Sequence, residues 1–410
     1  MNGAAAAAPP PAPAGDPELR LDRVRTDLHS LRAADPELDS LSARIQLTAA
    51  AGAVALLRRD DGARAATLSG RRVLVTGAAG YLGSALCLAL DGLGAEVVGL
   101  DVVAGGTVSI VADVADAAAV RAAAAGCGGV LHTAALHAPH ATHYTEAEFA
   151  ATNISGTQNV LDAAAAAGRI PVVHTSTTSL TITPRVKRAE KAGQLVWLDA
   201  TSQPPGVPAA EAAAADPADR PRNKYGRTKL EGERRCVAAA AAGTPCVIVR
   251  ISRCFPEDEL PDPAGQAAAL LGANFKANEL LGRRVALVDV VAGHLRALSR
   301  AGDPLVCGQV FTLCAPFPWA KAETPAETAA FLGFLQDQRP GLAGVYAKLG
   351  WSLPADVGRV YDSALAVELL GWRPQVTFDN LIAAAAAAAG GGGGGPAAGI
   401  DPEDARAGCY

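Results

Sequence analysis

Val75-Thr76-Gly77-Ala78-Ala79-Gly80-Tyr81-Leu82-Gly83-Ser84 decides the fold. It is a G-x-x-G-x-x-G run that follows a short apolar segment, 71–76, and opens onto helix-forming sequence at 81–93. In a strand–turn–helix unit Gly77 turns the chain tightly, Gly80 lets the backbone approach a pyrophosphate, and Gly83 lets the helix pack close to the strand. The helix start at Gly80, Tyr81 and Leu82 then offers free N–H groups and a partial positive charge to the phosphates. A lone glycine triplet carries little weight. The strand before it, and an acid at the end of the next strand, carry more. That acid is Asp101, 18 residues beyond Gly83. It is placed to bond a ribose 2′-hydroxyl, so it favours NAD and repels the phosphate of NADP.

Outward from this unit, apolar runs recur at 96–101, 109–112, 129–133, 171–175 and 245–251. Ala-rich helical stretches at 115–125, 146–167 and 223–242 separate most of them. Strand alternating with helix gives an α/β, doubly wound parallel sheet covered on both faces, here a Rossmann-type domain over 71–250. Beyond Ile251 the pattern breaks into Pro-rich loops and short elements, expected to form a smaller C-terminal substrate-binding part over 251–383. Residues 185–222 carry five prolines, from Pro204 to Pro221, and read as an insertion loop.

On the N-terminal side, Asp16-Pro17-Glu18-Leu19 recurs as Asp35-Pro36-Glu37-Leu38, each a helix start with a cap, a proline and an acid. Leu21, Val24, Leu28 and Leu31 follow the first, and Leu38, Leu41 and Ile45 the second, at helical spacing. Two short amphipathic helices, and a third through Leu57, are expected in an extension over 16–70. Residues 1–15 are an Ala/Pro stretch and 384–410 an Ala then Gly stretch, and both read as flexible tails.

Several further segments match, in order, the extended branch of the short-chain dehydrogenase/reductase superfamily. The chain resembles its NAD-dependent epimerase/dehydratase family over roughly 71–383. Asp113-Val114 follows the third strand, where the family's pair touches adenine. Leu131-His132-Thr133-Ala134-Ala135 matches the turn that lets the cofactor pass the fourth strand. Asn153-Ile154-Ser155-Gly156-Thr157-Gln158-Asn159 matches its N-x-x-G-T-x-N helix. Asp289-Val290 and Leu370-Gly371-Trp372-Arg373-Pro374 look like its C-terminal signatures. The resemblance implies NAD as cofactor, contacted by Gly77, Gly80, Tyr81, Leu82, Gly83, Asp101, Asp113, Val114, Ala134, Ala135, Asn153, Tyr225 and Lys229.

Tyr225-Gly226-Arg227-Thr228-Lys229 carries Y-x-x-x-K, and positions i and i+4 share a helix face. A free tyrosine has a pKa near 10, so working at neutral pH takes a shift of roughly 3 units, about 4 kcal/mol. A neighbouring ammonium and a positive nicotinamide favour the phenolate. Tyr225 can then exchange a proton with a substrate hydroxyl as hydride moves. The family's third member is a Ser or Thr after the fifth strand. Val173-His174-Thr175-Ser176-Thr177-Thr178-Ser179 places Thr177 there with Ser176 beside it, and the run of hydroxyls leaves a register slip of one open. Thr178 and Ser179 follow, where the family's dehydratases and decarboxylases carry an acid, which disfavours those chemistries.

His137, His140 and His143 form H-x-x-H-x-x-H in a Pro-containing loop, a spacing unlike standard zinc sites, so no metal is expected. Arg250, Arg253, Arg283 and Arg284 suit a substrate diphosphate, because guanidinium binds it in a bidentate manner. Arg253, Arg283 and Arg284 are taken as substrate residues with Thr177. The 36 basic and 41 acidic residues give a net charge of −5 with no basic run, so neither nucleic acid nor an anionic membrane is an expected partner. The eight cysteines form no C-x-x-C pair and read as reduced thiols of a cytoplasmic protein. No apolar run approaches the roughly 20 residues that span a bilayer.

The leading expectation is an NAD-dependent epimerase or oxidoreductase. Its small-molecule substrate, on the resemblance to UDP-glucose 4-epimerase-like proteins, is a sugar nucleotide. A dehydrogenase of a non-sugar alcohol or ketone, of steroid or phenolic type, is the second. A non-catalytic dinucleotide sensor is the third, and intact Tyr225 and Lys229 speak against it. A homodimer is compatible with each.

Overall fold

The computed structural model describes residues 36–203, 205, 216–254, 273–354 and 356–389. The expected Ala/Pro stretch at 1–15, the first amphipathic helix at 16–31 and the tail from 390 lie outside the described residues, while 384–389, expected as the start of that tail, continue a helix over Phe378–Ala389.

Among the described residues nine strands form: β1 (Arg72–Thr76), β2 (Glu96–Asp101), β3 (Ile110–Val111), β4 (Gly129–His132), β5 (Val172–Thr177), β6 (Val196–Leu198), β7 (Cys246–Ile251), β8 (Val310–Leu313) and β9 (Arg359–Tyr361). Seven make one sheet in the order β3-β2-β1-β4-β5-β7-β8, every pairing parallel. The order reverses between β1 and β4, and a doubly wound sheet binds its ligand at such a reversal, beyond the strands' C-terminal ends. The longer helices are α1 (Pro36–Asp60), α2 (Tyr81–Gly92), α3 (Ala117–Ala124), α4 (Gly156–Ala166), α5 (Pro184–Lys191), α6 (Lys224–Ala241) and α7 (Leu287–Arg300).

The strands are apolar along their length because both faces are covered. Alternate side chains point to opposite faces. Val73, Val75, Val173, Val247 and Val249 enter a core with α1, α2 and α7. Leu74, Val172, Cys246 and Ile248 enter the opposite core with α3, α4 and Cys236 of α6. Strands and helices fall where the hydrophobic runs place them, within a residue or two. One departure is local: the helix expected over 146–167 is interrupted by a π-helical turn at Ala151–Ser155. Such turns concentrate at functional sites.

Three expectations about organisation change. The second and third N-terminal helices are one continuous 25-residue helix, α1. It is part of the main core, since Ile45, Ala49, Ala50, Ala53 and Leu57 are buried there. Asp60 and Asp61 at its end receive Arg296 (3.1 Å) and Arg300 (3.3 Å) of α7. Secondly, residues beyond 251 do not all leave the Rossmann unit, because α7 packs on the sheet and β8 extends it. Thirdly, the insertion is not all loop. It contains α5 and β6, and β6 pairs in parallel with β9. Among the described residues no helix is long and apolar enough to cross a membrane.

Leu57 is completely buried between α1, α2 and α7. Leu57→Ala is expected to cost about 2–5 kcal/mol of stability by leaving a cavity. Denaturant unfolding checks it: a near-neutral change would mean that α1 is an appendage.

Candidate active site

The glycine turn is shaped by steric need. Gly77 has φ +75°, and a Cβ there would lie 2.7 Å from the Ala134 nitrogen. A Cβ on Gly83 would lie 1.9 Å from the Gly77 carbonyl oxygen, and one on Gly80 3.1 Å from the same atom. Gly80 caps α2 without a side-chain bond, and Tyr81 and Leu82 begin the helix half-buried. Asp101 ends β2, where its carboxylate accepts from the Ala79 (2.9 Å) and Val103 (3.0 Å) amides. The acid is thereby tied to the glycine turn itself. Ala134 and Ala135 leave β4 half-buried beside the turn, and the Ala134 amide donates to the Thr76 hydroxyl (3.4 Å). These residues form a cradle that side chains would fill, ending on a carboxylate, and they fit a dinucleotide with a free 2′-hydroxyl.

The N-x-x-G-T-x-N segment works from underneath. Asn153, in the π turn, accepts from the Leu136 amide and donates to the Leu136 carbonyl (both 2.8 Å) and to the Thr228 hydroxyl (3.0 Å). Its amide therefore fastens the loop after β4 to α6. Gly156 lets α4 close on Val114, and Asn159 holds the Val114 (2.9 Å) and Ala115 (3.0 Å) carbonyls. Asp113 accepts from the Ala115 amide (2.9 Å). Asn153 and Asn159 thus position the cofactor loops through protein–protein bonds.

Asn223 caps α6 through the Gly226 amide (2.8 Å), which sets Tyr225 and Lys229 one turn apart at the helix start. The Tyr225 phenol hydrogen-bonds the Thr177 hydroxyl. Burial pushes the phenol up to about 12, and the bond to Thr177 acts against that. Ser176, its neighbour, points to the other face and donates to Glu233 (2.5 Å). Ser176 thus serves a buried network, and Thr177 is the hydroxyl beside the Tyr225 phenol. Arg250 lies in that network too: it binds both oxygens of Glu233 (2.9 and 2.7 Å) and the carbonyls of Ser202 (2.7 Å) and Gln203 (2.6 Å). Arg250 thereby anchors the insertion to the sheet and is not a substrate group.

Lys229 is almost fully buried, and its ammonium donates to His174 Nε2 (3.1 Å). Burial lowers its pKa to about 8. Sequence reasoning missed His174, although a signal was there. β4 and β5 pair through matching segments, Val130-Leu131-His132 and Val172-Val173-His174, and a polar ring in a strand buried on both faces asks for a partner.

The His137 and His140 rings stack at 4.4 Å, and His137 meets the Tyr225 ring edge-on at 6.5 Å. Burial holds His137 down to about 3, so it is a neutral wall of the site. Among the described residues no three His, Cys, Asp or Glu side chains group as metal ligands. Arg253, Arg283 and Arg284 converge on the buried Glu279 at 2.7, 3.6 and 3.6 Å. Thr177 pairs with Ile251 in register, so Arg253 lies just past the strand end adjoining Thr177.

Gly83→Ala forces backbone apart and is expected to cost about 1–3 kcal/mol by overpacking. It should also abolish NAD binding, as thermal melts with and without NAD will show. Asp101 should make NAD bind at least about tenfold, ~1.4 kcal/mol, better than NADP. Paired calorimetric titrations decide this, and equal affinities would remove Asp101 from the ribose.

Comparison with known families matches residues 73–301, more than half of the chain, to the model of the NAD dependent epimerase/dehydratase family. A comparison with curated protein sequences gives no match. Among solved structures, a short-chain dehydrogenase/reductase superfamily protein from Agrobacterium tumefaciens with bound NAD is similar at 24% identity. It covers 77% of this chain and 96% of its own, with a TM-score of 0.51. A dTDP-glucose 4,6-dehydratase double mutant from Streptomyces venezuelae is similar at 20% identity, covering 75% and 94%, with a TM-score of 0.50. At these identities the two structures show the shared fold alone. With the glycine cradle, the acid of β2 and the family match together, the chain belongs to the NAD-dependent epimerase/dehydratase family and is an NAD-dependent enzyme.

Proposed function

We propose that this enzyme is an epimerase, or a closely related oxidoreductase, that acts at a hydroxyl carbon of a sugar nucleotide. The observation that carries the reading is the bond between Tyr225 and Thr177, one helical turn from Lys229, at the end of the sheet where Arg253 also emerges. When bound, NAD supplies the hydride acceptor and a positive ring. Thr177 orients the substrate oxygen, and Tyr225 takes its proton and later returns it. Lys229 contributes the fixed positive charge that favours the phenolate against the burial that opposes it.

Two features support the substrate class. Arg253, Arg283 and Arg284 gather around one carboxylate, Glu279, a donor-rich corner suited to phosphate oxygens. The residues after Thr177 are Thr178 and Ser179. Neither can take the second proton that elimination of water requires, so the reading is oxidation and re-reduction at one carbon.

An epimerase regenerates NAD in each cycle, so nothing selects for its release. Purified protein is therefore expected to carry NAD through gel filtration. It should convert UDP-galactose to UDP-glucose without added cofactor and without a steady rise in NADH absorbance. Tyr225→Phe should lower that rate by about 10²–10⁴ while NAD affinity stays close to wild type. Stoichiometric NADH formation from a simple alcohol, by protein isolated free of NAD, would establish a dehydrogenase instead.

A further inference from the structure

The His174 ring has no role in the proposed chemistry, yet the fold makes room for it. It is completely buried on β5, with its centroid 5.3 Å from the ring of His132 on β4. Above it, α6 carries Gly232, and a Cβ there would lie 3.3 Å from His174 Nε2 and 3.1 Å from the Asn153 carbonyl oxygen. A side chain at 232 would therefore press on the ring and on the Asn153 carbonyl by a few tenths of an ångström. Its Nε2 faces the Lys229 ammonium at 3.1 Å, and its Nδ1 has no partner among the described residues. An ammonium has no acceptor capacity, so toward a charged Lys229 the His174 Nε2 is the unprotonated, accepting nitrogen of a neutral ring. His132 is committed elsewhere, to the hydroxyls of Thr76 (2.7 Å) and Thr157 (3.0 Å).

We propose that His174 is a positioning residue for Lys229: its neutral Nε2 holds the ammonium, in the charged form, at the floor of the site. The inference rests on Lys229 serving as the charge beside Tyr225.

The other groups around Lys229 do not supply this. On its own helix Glu233 acts at a distance and is bonded to Ser176 and Arg250, while Cys236 is a buried thiol and Tyr225 is bonded to Thr177. From β4 and the loop after it, His132 and His137 are held neutral, each down to about 3, first by burial. Asn153 and Thr228 are bonded to each other. Burial already lowers Lys229 to about 8. A hydrogen bond accepted from the charged form favours that form. Without it the Lys229 pKa would fall further, toward neutral pH. His174 is lowered well below the ordinary histidine value by burial, and then by Lys229 and His132, so its ring stays neutral and able to accept near neutral pH.

The test is the pH dependence of NAD affinity, which needs no substrate. Where the Lys229 ammonium meets the nicotinamide ribose, affinity should weaken above a break near pH 8 in the wild type. His174→Leu removes the acceptor and should lower the break by about one pH unit, which leaves about half of Lys229 charged at pH 7 and so about halves epimerisation there. His174→Gln, whose amide oxygen reaches the place of Nε2, should restore the break. Gly232→Ala, which presses on the ring without altering it, should shift the break in the same direction as His174→Leu and serves if that variant fails to fold. Equal shifts in the Leu and Gln variants would mean the ring merely fills space, and an unchanged break in both His174→Leu and Gly232→Ala would also overturn the proposal. Lys229→Ala should abolish the break. If it does not, the role given to Lys229 falls, and the proposal falls with it.

Discussion

The helix α2 meets the sheet through a contact between two glycines. A Cβ on Gly83 would sit 1.9 Å from the Gly77 carbonyl oxygen, so the helix can enter at its observed height only with hydrogen in that place. That approach points the first amides of α2 at the reversal between β1 and β4, where phosphate charge is favoured. It also sets the distance from the turn to Asp101, whose carboxylate closes back on the Ala79 amide. The crevice at that reversal and the placing of Asp101 beside it inherit this geometry. Gly99 against the Thr107 carbonyl and Gly156 against Val114 repeat the same device.

Burial then decides the chemistry of the second half of the site. It pushes the Tyr225 phenol up to about 12 and the Lys229 ammonium down to about 8, favouring the neutral form of each. Catalysis needs the opposite pair of charges. In the proposed function the Thr177 hydroxyl works against desolvation at Tyr225, and the Nε2 of His174 works against it at Lys229. The π turn at Ala151–Ser155 has a comparable part. It places the Asn153 amide where it joins the loop after β4 to α6, so the cofactor loop and the catalytic helix cannot shift independently.

Much of this was legible in the sequence because it depends on periodicity and on local spacing. The strands, the glycine turn and the i, i+4 pair of Tyr225 and Lys229 are properties of short segments. What sequence left open depends on partners far apart in the chain. Which of Ser176 and Thr177 stands beside Tyr225 depends on Glu233, 57 residues from Ser176, which takes the Ser176 hydroxyl. Arg250 looked like a phosphate ligand and proved to be the anchor of the insertion, because Glu233 and the carbonyls of Ser202 and Gln203 surround it. The unity of α1 with the main core also rests on distant pairs, Arg296 with Asp60 and Arg300 with Asp61. Ala-rich sequence gives a helix readily but says little about which face it covers.

The central claim is that Tyr225, Thr177 and Lys229 oxidise and re-reduce one hydroxyl carbon with NAD that stays bound. Rapid mixing of the NAD-loaded enzyme with UDP-galactose, followed in the NADH absorbance band, tests this most directly. The account predicts a small, transient rise, below one equivalent per enzyme, that decays to a low steady level as epimer forms and is absent in Tyr225→Phe. A rise that persists at one equivalent, or a transient that survives in Tyr225→Phe, would contradict it.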